Sequence, residues 1–304
     1  MKVLVIGGCG YIGHALVEVL GAAGLDVTVA TRSLTSVSGA SDVVLWNADY
    51  PWRWPTPSFH LLIHLAGPNG DEASIEDRVQ SDQSTLNVIE LCSRISGCGL
   101  LYFSSFQVFG RWSGVVSDSS KPHPISAYGV AHLHNETLIA EFGVAKDRRT
   151  MSVRPTNVYG APSLSSPVRW NRVPAEFCRQ AVTKGEIEIR GDPNAERNFL
   201  PLSSLSERIL ALVFRRDKWN HESRIIGSGK SVTIGSMAEA VAIEAADILD
   251  SPIRVLIKGQ SSLECEPLKV AGGRQPDLQL VSDQGIDPIA ELRRLLTSAA
   301  NASF

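Results

Sequence analysis

Long hydrophobic runs are missing from this chain. No stretch of its 304 residues approaches the ~20 apolar residues that cross a bilayer, so no membrane partner is expected. Strong charge of one sign is missing too. With 29 Lys and Arg against 32 Asp and Glu, the net charge is −3. No cluster of Lys and Arg with interleaved aromatics appears, which removes the electrostatic case for nucleic acid. Cysteine is sparse: Cys9, Cys92, Cys98, Cys178 and Cys265 are scattered, odd in number and without zinc-type spacing. They read as reduced, mostly buried thiols of a cytoplasmic protein with no metal site. The first 20 residues match a signal peptide in apolarity, but glycines and Glu18 break the run, and the segment explains itself as a strand and helix. There is no internal repeat. Two matches to the glycosylation pattern, at Asn135 and Asn301, carry little weight without a secretory signal.

What is present is concentrated at Met1 to Gly13, MKVLVIGGCGYIG. Val3, Leu4, Val5 and Ile6 form the short apolar run of a strand buried on both faces. Gly7, Gly8, Gly10 and Gly13 follow, then Ala15, Leu16, Val17, Val19 and Leu20 at helical spacing. Strand, glycine turn and helix open a dinucleotide-binding unit. Gly7 and Gly8 are expected to make the tight turn, Gly10 to admit a pyrophosphate, and Gly13 to let helix and strand pack closely. The helix N-terminus then faces the phosphates. A glycine-rich turn without a ligand is the plain alternative.

The rest alternates strands with helices, which implies parallel pairing and right-handed crossovers. Strands are predicted at Asp26 to Ala30, Val43 to Trp46, His60 to Leu65, Leu100 to Ser104 and Met151 to Arg154. Helices are predicted at Thr85 to Ile95, Ala127 to Phe142 with Ser126 as N-cap, Leu205 to Phe214 and Ile234 to Leu249, with a short strand at Ile225 and Ile226. Pro51 to Pro55 is too proline-rich for helix or interior strand. Segment 161–200, rich in Pro, Arg and Trp, is expected to be less regular. His64 reads as a hydrogen-bonded core histidine rather than a ligand. His134 reads as solvent-facing.

After the second strand stand Thr31, Arg32 and Ser33. An acidic residue there would hold the ribose 2′-hydroxyl of NAD, whereas an arginine suits the 2′-phosphate of NADP. Arg32 therefore favours NADP(H), with NAD(H) the alternative; a solvated surface arginine is the bland reading. Three stretches carry candidate chemistry. Leu101 to Gly110 places Ser104 and Ser105 at the end of a parallel strand, where open α/β sheets bind ligands. Tyr128 and His132 lie four apart on one helical face. Arg154 to Gly160 ends the next strand.

With GGCGYIG (7–13), HLAG (64–67), YFSSFQVFG (102–110), SAYGVAH (126–132), RPTNVYG (154–160), GDPNAERNFLPLSSL (191–205) and GRQPD (273–277), the chain resembles the extended short-chain dehydrogenase/reductases. Within them it is similar to the nucleotide-sugar epimerases, dehydratases and ketoreductases. The resemblance runs nearly end to end. It implies a doubly wound α/β sheet of Rossmann type with a smaller C-terminal substrate lobe and the site in the cleft between. Residues 1–160, with a return near 199–227, would bind the dinucleotide; 161–198 and 228–304 would form the lobe. The serine matching Ser105 polarises the substrate oxygen and the tyrosine matching Tyr128 exchanges the proton. A lysine four residues later holds the nicotinamide ribose and lowers the tyrosine pKa. By the same resemblance the cofactor would touch Gly7, Gly10, Tyr11, Ile12, Gly13, Thr31, Arg32, Ser33, Asp49, Tyr50, Leu65, Ala66, Gly67, Ser104, Tyr128, His132 and Pro155. The nucleotide-sugar would touch Ser105, Asn157, Arg197 and Arg274. A homodimer through the helices near 85–96 and 127–142 is also implied.

Four departures matter. The lysine position is His132; the helix asparagine before the fifth strand is Ser81; the usual paired aspartates are Ser203 and Ser204. The threonine-acid-acid signature of 4,6-dehydratases is replaced by Ser105-Phe-Gln107, which argues against elimination of water. A histidine with pKa near ~6.5 is mostly neutral where lysine is charged. One charge about 4 Å away is worth roughly 4 kcal/mol at an effective dielectric near 20, so without it the tyrosine drifts up toward its reference pKa of about 10. A protonated tyrosine is a poor base and a competent acid. Reduction of a ketone needs the acid, whereas an epimerase needs both directions. The expectation is an NADPH-dependent ketoreductase of a nucleoside-diphosphate sugar. The alternatives are an epimerase that recycles its cofactor and a non-catalytic cofactor-binding homologue.

Overall fold

A computed structural model describes residues 1–32, 36–46, 58–67, 75–111, 113–161, 170–259, 266–271 and 288–302, side chains at 75–78 excepted. Ser33, Asp49, Tyr50, the 51–55 segment and Arg274 with its GRQPD motif lie outside the described residues.

The frame is a seven-stranded parallel sheet. Its strands are β1 (Lys2–Ile6), β2 (Asp26–Thr31), β3 (Asp42–Leu45), β4 (Leu61–His64), β5 (Gly99–Phe103), β7 (Thr150–Pro155) and β12 (Glu222–Ile226). Spatial order is β3-β2-β1-β4-β5-β7-β12, so the chain winds outward both ways from the β1/β4 pair. Ligands of such sheets collect at the carboxyl ends of the strands flanking that reversal. Leu61, Leu62, Ile63 and His64 are all buried, as the unbroken apolar run of a central parallel strand requires.

Helix α1 (Tyr11–Ala22) and helix α5 (Leu202–Phe214) pack together over one face, with Leu16, Leu20, Leu205, Ile209 and Val213 in a common core. Helices α2 (Ile75–Arg94) and α3 (Ala127–Lys146) pack over the other. A separate core forms under α4 (Ala175–Lys184), α6 (Ile234–Leu249) and α7 (Pro288–Asn301) with β9 (Glu186–Ile189), which pairs in parallel with β14 (Arg254–Ile257). Four short strands complete it and its link to the sheet: β8 (Asn157–Tyr159) beside β11 (Phe199–Pro201), and β10 (Glu196–Arg197) beside β13 (Val232–Thr233). A further pair, β6 (Val115–Val116) with β15 (Lys269–Val270), packs Val116 and Val270 against Ile225 of β12 and against Phe106 and Phe109.

One reading of the sequence needs correction. Helix α2 begins at Ile75, ten positions before the expected Thr85, because its first three turns are largely polar and periodicity had little to register. Segment 161–200, expected to be less regular, holds among its described residues one helix and three short strands. Its helix is short, and charged residues separate the buried Ala175, Phe177, Cys178 and Ala181. Gly7 and Gly8 both lie in the turn, which the Gly10 N–H closes onto the Gly7 carbonyl at 3.0 Å. Only Gly7 has positive φ (+87°), and a Cβ on Gly8 would stand 2.7 Å from Val29, so Gly8 serves close packing of the turn on β2.

Gly160 ties the two cores together. Tyr11 donates its hydroxyl to the Gly160 carbonyl at 2.8 Å, joining α1 to the strand end after β8. From the other side the buried Glu291 of α7 fills the space that a Gly160 Cβ would take, 2.0 Å from its Oε1, and Gly160 has φ +139°.

Candidate active site

The glycine turn at the end of β1 gives the first part of the site. A Cβ on Gly13 would lie 2.3 Å from the Gly7 carbonyl, so helix and turn meet at a distance only glycine allows. Gly10 caps α1 with no side-chain hydrogen bond, and the first turn holds no acidic residue. The leading N–H groups of the helix are thus left for an anion. Beside them lie Leu65, Ala66 and Gly67, half-buried at the end of β4, with the Leu65 N–H bound to the Ile6 carbonyl at 2.8 Å. Thr31 ends β2 buried and is followed by an exposed Arg32. Pro155 is buried at the end of β7, beside Ile226.

The second part is the junction of β5 with α3. Ser105 caps a 3-10 turn at Phe106–Phe109, its Oγ accepting from the Gln107 N–H at 3.2 Å. Ser126 caps α3 by accepting from the Gly129 N–H at 3.1 Å and donates to Gln107 Oε1 at 3.2 Å. A Cβ on Gly129 would meet the Gln107 carbonyl at 2.7 Å. These contacts bring the first turn of α3, and Tyr128 on it, against the Ser105 turn. His132 stacks edge-on to Tyr128 with ring centroids 4.5 Å apart.

The His132 ring is buried and its pKa is pushed down to about 3, first by burial and then by the neighbouring His64. It is a neutral imidazole at any ordinary pH. Its Nδ1 lies 2.8 Å from the Tyr102 hydroxyl, while its Nε2 has no partner among the described residues. The Cε1–Nε2 edge faces Gly67: a Cβ there would stand 3.2 Å from Cε1 and 3.7 Å from Nε2. His64 is a buried core residue with its Nε2 at 3.1 Å from Thr85 Oγ1 and its Nδ1 without a partner among the described residues, and burial lowers its pKa to about 3 as well. His134 is half-exposed, near Asp82.

One turn along α3 stands a group the sequence did not flag. Glu136 is buried and takes a bidentate pair from Arg154, at 2.9 and 2.6 Å. Ser223 adds a hydrogen bond at 3.0 Å, and Ser104 donates the fourth. The Arg154 guanidinium also lies 5.0 Å from the Phe109 ring centre. Ser104, expected at the cofactor, therefore spends its hydroxyl inside this ion pair. The available signal was position: Glu136 follows Tyr128 by eight residues on the same helical face, and a buried carboxylate requires a cation.

Two of the expected substrate residues, Asn157 and Arg197, fall elsewhere, on β8 and β10. Asn157 pairs with Phe199 across β8 and β11 and donates its side-chain amide to the Asn198 carbonyl at 3.1 Å. Arg197, half-buried on β10, lines a cavity of about 330 Å³ together with Phe177, Gln180, Glu188, Asp192 and Ile234. Among the described residues no group of His, Cys, Asp and Glu could hold a metal, and no helix is long and apolar enough to cross a membrane.

The parallel sheet, the glycine turn and the Ser105–Tyr128 junction define a dinucleotide-dependent enzyme of the short-chain dehydrogenase/reductase type. Residues 3–222 match the model of the NAD dependent epimerase/dehydratase family, and the chain belongs to that family. Among its relatives is a dTDP-L-rhamnose 4-epimerase from Burkholderia thailandensis, 25% identical over 299 residues that cover 79% of this chain and 80% of that one. Solved structures with the same fold include MoeE5 in complex with UDP-glucose and NAD, at TM-score 0.77 and 21% identity with 99% of each chain covered. RMD from Pseudomonas aeruginosa, complexed with NADPH, aligns at TM-score 0.77 and 22% identity, again over 99% of each chain.

Proposed function

We propose that the protein is an NADPH-dependent ketoreductase acting on a sugar attached to a nucleoside diphosphate. The observation that carries this reading is the neutral, buried imidazole of His132 beside Tyr128. No ammonium stands four residues after Tyr128 to stabilise a phenolate, so its phenol holds its proton and gives it up as an acid. Ser105 has its Oγ lone pair on the Gln107 N–H, which leaves its own O–H for a substrate carbonyl oxygen.

The residues present fit a nicotinamide dinucleotide. Gly10 and the uncapped start of α1 leave room and donors for a pyrophosphate, and Arg32 is exposed where a 2′-phosphate would be met. The orphaned Nε2 of His132 supplies a further buried polar atom awaiting a partner. A bound nicotinamide would supply the hydride. Asn157, Arg197 and Arg274 would hold the diphosphate of the sugar nucleotide; Asn157 lies on β8 opposite Phe199 of β11, and Arg197 lies on β10, two residues before Phe199. The epimerase relative keeps a second reading in view, in which the same site oxidises and reduces one sugar in turn.

Purified protein is incubated with nucleoside-diphosphate keto-sugars and either NADPH or NADH. Loss of one NADPH absorbance per sugar reduced, with NADH slower, is the expected result. Interconversion of sugar epimers with no net change in cofactor would replace this reading with the epimerase.

A further inference from the structure

His132 is one ring in a file of four, three of them buried and Tyr128 half-buried: His64 to Tyr102 at 5.5 Å between centroids, Tyr102 to His132 at 5.8 Å, and His132 to Tyr128 at 4.5 Å. The hydrogen bonds along it have a single consistent direction. Asn135 donates one amide hydrogen to Ser81 Oγ at 3.0 Å and the other to the Tyr102 oxygen at 3.4 Å. Turning that amide over would leave two buried N–H donors without acceptors among the described residues, in place of the one carbonyl oxygen now unpaired among them. With its oxygen accepting from Asn135, Tyr102 must place its own O–H on His132 Nδ1, at 2.8 Å. Were Nδ1 protonated instead, the Tyr102 oxygen would accept twice and its fully buried O–H would have no acceptor among the described residues.

We propose that Tyr102, held by Asn135 and Ser81, is a positioning residue that fixes His132 as its Nε2–H tautomer and presents that N–H over Gly67 as a donor to a ligand oxygen. The acceptor, a hydroxyl oxygen of the bound dinucleotide, rests on the function proposed above; the tautomer does not. A single neutral donor thus occupies the place of a cation, and its direction is set from β5 rather than by its own helix. The titratable groups around the relay are His64 on β4, Asp82 on α2, Tyr128 and Glu136 on α3, and Tyr102 itself.

The decisive measurement is nitrogen NMR of the ligand-free protein with labelled histidine, the His132 ring being assigned by its absence in His132→Gln. A protonated Nε2 and bare Nδ1 are expected, with a mixture of tautomers in Tyr102→Phe. That variant keeps the ring volume, and its folding is checked by thermal melting. Its dissociation constant for NADPH, or for NADH, should rise by the inverse of the Nε2–H fraction that the spectrum shows, about 2-fold for an even mixture. A bare Nε2 in the parent protein overturns the proposal, as does a Tyr102→Phe protein with unchanged tautomer and affinity. Dinucleotide binding with the wrong tautomer sinks the relay and spares the function. The expected tautomer in a protein that binds neither dinucleotide supports the relay, overturns its acceptor and sinks the function.

Discussion

Two polar clusters are buried on successive turns of α3, and they handle burial in opposite ways. Around Glu136 full charges are kept, and Arg154, Ser104 and Ser223 meet the carboxylate with four hydrogen bonds. Around His132 no charge is kept, and an imidazole, a phenol, an amide and a hydroxyl share neutral hydrogen bonds. The desolvation cost of an ion is offset only by a partner of matching geometry. The Glu136 cluster has that partner. The His132 cluster does not, so its ring gives up its proton. Under the function proposed above, the site would work through neutral donors and acids rather than through a fixed cation.

The comparison breaks most severely if one half of the charged cluster is removed. Glu136→Gln strands the Arg154 guanidinium and should cost about 3–5 kcal/mol in urea unfolding at neutral pH, whereas replacing both residues by methionine should recover most of it. A loss below about 1 kcal/mol for the single change would show the pair to be worth little.

A smaller effect tests the neutral cluster. His64 and His132 fold with pKa values of about 3 against 6.5 in the unfolded chain. The unfolded chain therefore takes up protons first, and stability is lost as pH falls from 6.5 toward 3, at roughly 1.4 kcal/mol per pH unit and ring. By pH 5 each ring accounts for about 2 kcal/mol. His64→Gln should shrink the difference in unfolding free energy between pH 7 and pH 5 by about that amount. An unchanged difference would mean that the ring is not neutral in the fold.

The mildest change converts one cluster toward the other. His132→Lys restores a cation beside Tyr128 and should move the pH profile of alcohol oxidation toward neutrality by about one unit or more. The high-pH fall of ketone reduction should move down with it. A profile that stays in place would separate Tyr128 from the charge at position 132.

Much of this architecture is written locally. The β1 run, the glycine spacing, and the four-residue step from Tyr128 to His132 each lie within one strand, turn or helix, where a period can be read. The Glu136–Arg154 pair does not: its members stand eighteen positions apart on a helix and a strand, and only the crossover brings them together. Tyr102 was hidden differently. In an all-buried strand it reads as core, and only the rule that a buried phenol needs a partner hints at more. Arg197 likewise gives no sign in sequence of the cavity it lines, because α4, β9 and α6 must assemble first.

Gly160 and Glu291, described above as the tie between the two cores, also constrain how the sequence can drift. The acid occupies the volume of any side chain at 160, and the dihedral there disfavours one in its own right. Residues 131 positions apart therefore mutate as a single locus. Shortening Glu291 is the necessary first step before any residue can replace the glycine, and the reverse order passes through a chain whose last helix has no seat.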